Sequence, residues 1–138
     1  MEAKLKHLEM IQGIINRMAS NSFLLKGWSL TLVAALIALS VDKANPWFVL
    51  VALVPCLVFW GLDGYFLRQE RLFRGLYDEV RIKKPEEIDF SMKWSEEVEK
   101  KEKPWIGVCI FRPTLPAFHG AVLAAILLIA LLVHYAGK

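Results

Sequence analysis

Cysteine is scarce in this chain, and its two cysteines, Cys56 and Cys109, lie in unrelated contexts. Two isolated cysteines exclude a disulfide framework and a zinc site built on cysteine. Charge is also missing from long stretches: residues 27–41 and 44–62 carry no charged side chain, and residues 120–133 carry no polar one. With 56% hydrophobic residues in 138, these stretches argue against a disordered chain and against a soluble globular domain.

Each uncharged stretch reaches the length of a membrane span once its flanks are added, about 20 residues. We therefore expect an all-α integral membrane protein with three transmembrane helices, at residues 23–41, 46–67 and 118–135. Residues 1–20 carry charge throughout and contain no small-residue cleavage site, so they do not resemble a signal peptide. The first span is thus expected to remain in the mature protein.

The basic residues are distributed unevenly around the predicted spans. Of 17 Lys and Arg residues, only Lys43 and Lys138 fall in the loop after the first span and in the C-terminal tail. Cytoplasmic flanks are the ones enriched in Lys and Arg. The pattern predicts a multi-pass protein with a cytoplasmic N-terminus and a periplasmic or extracellular C-terminus.

Both sequences flanking the predicted hairpin have helical periodicity. In residues 3–20, Leu8, Ile11 and Ile15 recur at three- and four-residue steps, which predicts an amphipathic helix. We favour one helix continuing from there into the first span, and the alternative is a helix lying flat on the inner leaflet. A second apolar stripe predicts that the second span continues as a cytoplasmic helix to residue 81.

Residues 82–113 are expected to form a cytoplasmic segment between the second and third spans. Pro85 ends the preceding helix, because proline disfavours helix at the residue before it. Residues 95–103 alternate Glu and Lys at four-residue spacing and predict a short solvated helix. Residues 105–111 are apolar and β-prone, and we expect them to lie in the membrane interface or to pack on the helical extensions.

Two charges fall within the predicted spans, Lys26 in the first and Asp63 in the second. Charges in membrane helices are costly unless they are paired, hydrated or able to reach the interface. The structural interpretation is an ion pair that fixes the register of the hairpin, and the functional one is an ion site or gate. Pro55, Gly61 and Gly64 are candidate hinges nearby, and a static kink at Pro55 is the alternative.

A basic cluster follows the second span and is a candidate contact for anionic lipid or for a partner protein. Acidic residues interleave with it and no aromatic stacking platform accompanies it, so we expect no nucleic-acid binding. The cluster consists of Arg68, Arg71, Arg74, Arg81, Lys83 and Lys84.

Catalytic chemistry has no visible basis in the sequence. We find no nucleophile–base pair, no glycine loop that would hold a phosphate, and no cluster of metal ligands. His7, His119 and His134 are interpreted as boundary residues rather than ligands. We expect a protein that is not an enzyme and that uses no cofactor or metal.

Two motifs, INRMASNSFLLKGW and DGYFLRQERLFRGLYDEVR, resemble a recurring family of small uncharacterised bacterial inner-membrane proteins. The resemblance implies a bacterial inner-membrane location. It also places functional weight on Lys26 with its neighbours and on Asp63, Arg68 and Arg71. At the level of architecture, the chain resembles the SLATT-type membrane effectors, which form pores when triggered, although a third span departs from their two-helix pattern.

These observations predict an oligomeric pore- or channel-type protein, in its most specific form a gated effector, with Lys26 and Asp63 at its cytoplasmic mouth. The expected partners are the lipid bilayer and further copies of the same chain. The alternative is a membrane-anchored scaffold or accessory subunit that docks a soluble cytoplasmic partner.

Overall fold

A computed structural model describes residues 1–41 and 45–136, and within these ranges it is all-helical, with no strand. Three stretches are long and apolar enough to cross a membrane, Glu2–Ser40, Pro46–Ile82 and Glu96–Ala136, consistent with a multi-pass membrane protein. The helices are α1 (Glu2–Val41), α2 (Pro46–Val51), α3 (Leu53–Ile82), α4 (Glu96–Lys101), α5 (Trp105–Phe111) and α6 (Thr114–Ala136).

The first helix, α1, runs without interruption for 40 residues, which is about 60 Å at 1.5 Å per residue. The sequence predicts an amphipathic helix at residues 3–20 and a membrane span at residues 23–41, and we favour one continuous helix through both. The structure joins them, since no proline interrupts the helical hydrogen bonds. Residues 20–23 are helical, so the segment 3–20 and the predicted span belong to one continuous helix.

Helix α3 packs antiparallel against α1 along most of its length. At one end Ile11 and Ile15 of α1 meet Leu76 and Val80 of α3 in a core cluster. The N-terminus is fastened to the same end, because Lys4 Nζ donates to the Lys83 carbonyl at 2.8 Å. The apolar stripes of the two extensions therefore bury each other.

The second predicted span is split. Helix α2 ends at Val51, and α3 begins at Leu53, with Ala52 in a turn between them. Pro55 has no N–H to donate to the Val51 carbonyl, and its ring crowds that carbonyl. The break therefore lies three residues before the proline, and α3 then continues unbroken to Ile82, one residue past the expected end.

The segment that follows α3 differs from its prediction in one respect. A single 3-10 turn, Pro85–Glu87, follows α3, and α4 forms within the predicted charged stretch. Residues 105–111 are helical as α5, so the β-prone interpretation was wrong. We find no strand in the described ranges with which an extended segment could pair, whereas a helix satisfies its own backbone, as in Val108 N–H to Pro104 O at 3.0 Å.

Two glycines of α3 permit close contact with the segment that follows it. A Cβ at Gly64 would overlap Cys109 Sγ of α5, and a Cβ at Gly75 would overlap Val98 of α4. Helix α5 therefore packs on the part of α3 assigned to the span, not on the extension, 68–81. Gly61 and Gly64 lie inside a continuous helix, where the described backbone shows no hinge.

Gly75→Ala is expected to destabilise the protein by about 1–3 kcal/mol, because the added methyl forces Val98 and α4 away from α3. Thermal unfolding in detergent micelles, followed by circular dichroism, measures the effect. Gly13→Ala is the matched control, since nothing lies within 4 Å of its Cβ position and alanine favours helix. Equal unfolding temperatures for the two variants would contradict the packing role of Gly75.

Candidate functional site

Asp63 lies on α3 at the centre of a buried polar cluster, and its side chain is fully buried. Lys26 Nζ lies 2.6 Å from Asp63 Oδ2, and His119 Nε2 lies 2.9 Å from the same oxygen. Ser22 Oγ donates to Asp63 Oδ1, and Lys26 Nζ donates to Ser22 Oγ at 3.0 Å. Four side chains from three helices thus form one connected hydrogen-bond network, which we call the Asp63 cluster.

Helical geometry explains how the cluster is assembled. Ser22 and Lys26 are four residues apart on α1 and therefore project from one face. Helix α3 runs antiparallel beside that face and presents Asp63 to both. Helix α6 contributes His119 from its second turn, directly after the short α5 has returned the chain to α3.

Aromatic rings and α5 cover the cluster. Trp60 stacks on the His119 ring with centroids 5.8 Å apart and planes 13° apart. The Trp60 indole donates to the Cys109 carbonyl at 3.0 Å, and Trp105 of α5 donates to the Gly61 carbonyl at 2.8 Å. These two indole bonds hold α5 against α3 beside Asp63, so water is kept from the carboxylate on that side.

The far side of the cluster is closed by an apolar core. This core joins α1, α2, α3 and α6. Its buried members are Val33, Val49, Ala52, Cys56, Val122, Ile126 and Ala130. Asp63 is the one Asp, Glu, Lys or Arg side chain that is buried in the described ranges. In the described ranges, the buried polar side chains between the cluster and the end near Asn45 are Ser29 and Ser40 of α1.

His119 was interpreted from the sequence as a boundary residue, and the structure corrects this. Its side chain is fully buried and contacts Asp63. A signal was present in the sequence: Leu115, His119, Val122 and Ile126 follow one another at three- and four-residue steps, the stripe that α6 buries. His7 is likewise buried, with Nε2 at 3.1 Å from the Ser91 carbonyl.

The other predicted site residues are dispersed. The structure pairs several of the basic residues with acids of the same segment, and these pairs lie on the extension and not at the Asp63 cluster. Arg68 pairs with Glu99, Arg74 with Glu70 at 2.7 Å, Arg81 with Asp78 at 3.4 Å and Lys83 with Asp89 at 4.0 Å. Arg71 lines a surface groove beside α4, and Lys84 precedes the 3-10 turn.

The Asp89 carboxylate illustrates how the loop after α3 is held. The backbone N–H of Ser91 donates to Asp89 Oδ1 at 3.1 Å and lowers the pKa of that carboxyl, with a smaller contribution from the charge of Lys83. Phe90, between them, has a φ of 55°, a left-handed conformation that is costly for a bulky side chain. The loop therefore has one defined conformation where it meets His7.

No metal site is formed in the described ranges, where we find no group of three or more His, Cys, Asp or Glu side chains able to hold an ion. No family model, no curated protein and no solved structure matches the chain.

Asp63→Ala is expected to destabilise the protein by about 1–3 kcal/mol, because it leaves the buried Ser22 hydroxyl and the buried His119 ring without their common partner. Asp78→Ala is the matched control, since Asp78 belongs to an exposed pair with Arg81 whose loss costs at most about 1 kcal/mol. Unfolding of both variants in micelles gives the comparison. If Asp63→Ala lowers the free energy of unfolding by no more than Asp78→Ala does, the Asp63 cluster does not hold the helices together.

Proposed function

We propose that the chain is an oligomeric pore- or channel-type protein of the bacterial inner membrane, with its N-terminus in the cytoplasm and its C-terminus outside. The orientation is supported by the distribution of Lys and Arg, which are nearly absent from the loop and tail at the other end. The bacterial membrane is supported by the two resembling motifs around Lys26 and Asp63.

The observation that carries the proposal is the full burial of the Asp63 carboxylate between three apolar helices. Ionisable groups in membrane segments are rare, face the bundle interior, and commonly mark ion pathways and proton relays. In this chain the carboxylate connects α1, α3 and α6 at once. A change in its charge would therefore act on contacts that join all three helices, which supports a role as a gate.

The packing of the single chain supports the proposal of an oligomer. Beyond the Asp63 cluster the described interior is mostly apolar, and its buried polar side chains there are the uncharged Ser29 and Ser40. We therefore place an ion path between copies of the chain, whose exposed apolar helix faces would pack against lipid or against one another. The cluster controls such a path from within each subunit.

Asp63→Asn is expected to change ion flux several-fold while leaving the oligomer intact, because it removes the charge and retains the shape. Purified protein in liposomes, with potassium and chloride flux recorded separately, provides the measurement. Lys26→Ala should also change the flux, and Asp78→Asn on the exposed surface should not. Absence of flux in the wild type, or unchanged flux in both cluster variants with normal assembly, would contradict the pore.

A scaffold is the second candidate, and one surface feature favours it. A groove of about 560 Å³ lies between α3 and α4 on the extension, lined by side chains of both charges that include Arg71, Asp78, Glu97 and Lys101. Such a mixed lining is suited to a polar protein segment. The groove lies on the side that we assign to the cytoplasm.

The scaffold is tested by exchanging Glu97 and Lys101, which lie four residues apart on α4. The exchange keeps the net charge and reverses the charge pattern of the groove, and it is expected to abolish binding of a cytoplasmic protein cross-linked to the wild type in native membranes. The same exchange of Glu96 and Lys100 is the control, because that exposed pair does not line the groove. Equal cross-linking by both exchanged variants would exclude the groove as the docking site.

A further inference from the structure

The hydrogen bonds around Asp63 fix where the protons of the cluster lie. Lys26 can only donate, so Ser22 Oγ accepts from it and gives its own hydrogen to Asp63 Oδ1. Asp63 Oδ2 accepts from Lys26, and it lies 2.9 Å from His119 Nε2, whose Nε2–H tautomer would donate to the same oxygen. The carboxylate therefore only accepts, which is the role of the ionised form.

The two ring nitrogens of His119 have different surroundings. Its Nε2 carries a hydrogen toward Asp63, while its Nδ1 is buried and has no hydrogen-bond partner in the structure. A doubly protonated ring would bury a second N–H donor without an acceptor, at a cost of about 1–3 kcal/mol or more. A second N–H on His119 therefore has no acceptor in this arrangement, and the ammonium of Lys26 balances the charge of Asp63.

Lys26 and Asp63 differ in whether their charged groups can move from the cluster to the aqueous interface. The Lys26 side chain is 23% exposed, and that of Asp63 is 0% exposed. A lysine has a long flexible stem, along which its ammonium can reach the aqueous interface. Aspartate has a single methylene, so Asp63 stays in the interior together with the equally buried His119.

Departure of the ammonium would leave an isolated negative charge in a medium that solvates it poorly, a cost that groups in proteins relieve by neutralisation. We propose that Asp63 and His119 form a proton-binding site whose occupancy alternates with the ammonium of Lys26. One proton from the aqueous phase forms an O–H bond on Asp63, because a hydrogen on His119 Nδ1 would have no acceptor. Lys26 keeps its own charge and moves to the interface, so the buried cluster is neutral before and after.

No other ionised group in contact with Asp63 is available to take this role in the described ranges. The α1 face supplies Lys26, α6 supplies His119, and α5 supplies the thiol of Cys109 beside Gly64. Helix α4 directs Glu99 to Arg68, five residues further along α3. The α2 helix, 46–51, has no titratable side chain.

The test removes the competing charge and observes the proton directly. Infrared difference spectroscopy of Lys26→Met at neutral pH is expected to show one protonated carboxyl per chain that the wild type lacks. Lys26→Met with Asp63→Asn should lose the carboxyl signal, and Lys26→Met with His119→Gln should retain it. Absence of the carboxyl signal in folded Lys26→Met would overturn the proposal.

Ser29→Ala is the matched control, because it alters a buried side chain of α1 three residues from Lys26 without changing any charge. The spectrum of Ser29→Ala should match that of the wild type. A protonated carboxyl in Ser29→Ala would show that the signal arises from any disturbance of helix packing, and it would overturn the proposal. Acidification of the unmodified protein provides a second route that needs no Lys26 variant: the same signal should appear, and Asp63→Asn should abolish it.

This inference concerns the cluster of the proposed function, but it does not depend on ion conduction. The infrared signal reports proton binding whether or not the liposomes leak. A proton signal without flux would support the site and contradict the pore. Flux without a proton signal would support the pore and contradict the proton-binding site.

Discussion

The burial of one carboxylate constrains the rest of this structure. Asp63 is fully enclosed, and an ionised carboxylate in such a place is tolerated only when its oxygens are saturated with donors. Those donors come from Ser22 and Lys26 on α1 and from His119 on α6. The requirement therefore sets the register of α1 against α3 and the depth at which α6 begins.

The remaining architecture is consistent with that constraint. The short α5 returns the chain from the extension to α3 and allows α6 to begin beside Asp63, and the missing side chains of Gly61 and Gly64 make room for it. Apolar clusters on either side complete the bundle, one at the extension and one beyond Asp63. Neither apolar cluster has a directional preference of its own, because apolar packing tolerates sliding that hydrogen bonds to a buried charge do not.

Much of the helical framework was accessible from the sequence, because hydropathy and periodicity act locally. The continuity of α1, the extension of α3 and the helix near residues 96–101 all follow from patterns within a few turns. The segment 105–111 was misjudged because β-propensity describes fit to a neighbouring strand, and here the neighbour is α3. The position of the break at Ala52 reflects crowding of a carbonyl upstream of Pro55, which composition alone does not locate.

The candidate site, like the fold, was predictable from the sequence only in part. The sequence by itself determined that Lys26 and Asp63 are charges within apolar helices that cannot remain isolated, since the cost of burying a charge depends only on its surroundings being apolar. Only the tertiary structure decided that His119 is their neighbour, 56 residues beyond Asp63, because a histidine near the start of an apolar helix looks the same whether it faces lipid headgroups or a buried carboxylate. The tertiary structure also decided which charge can leave: exposure is a property of packed helices, and it separates a lysine that reaches the surface from an aspartate that does not.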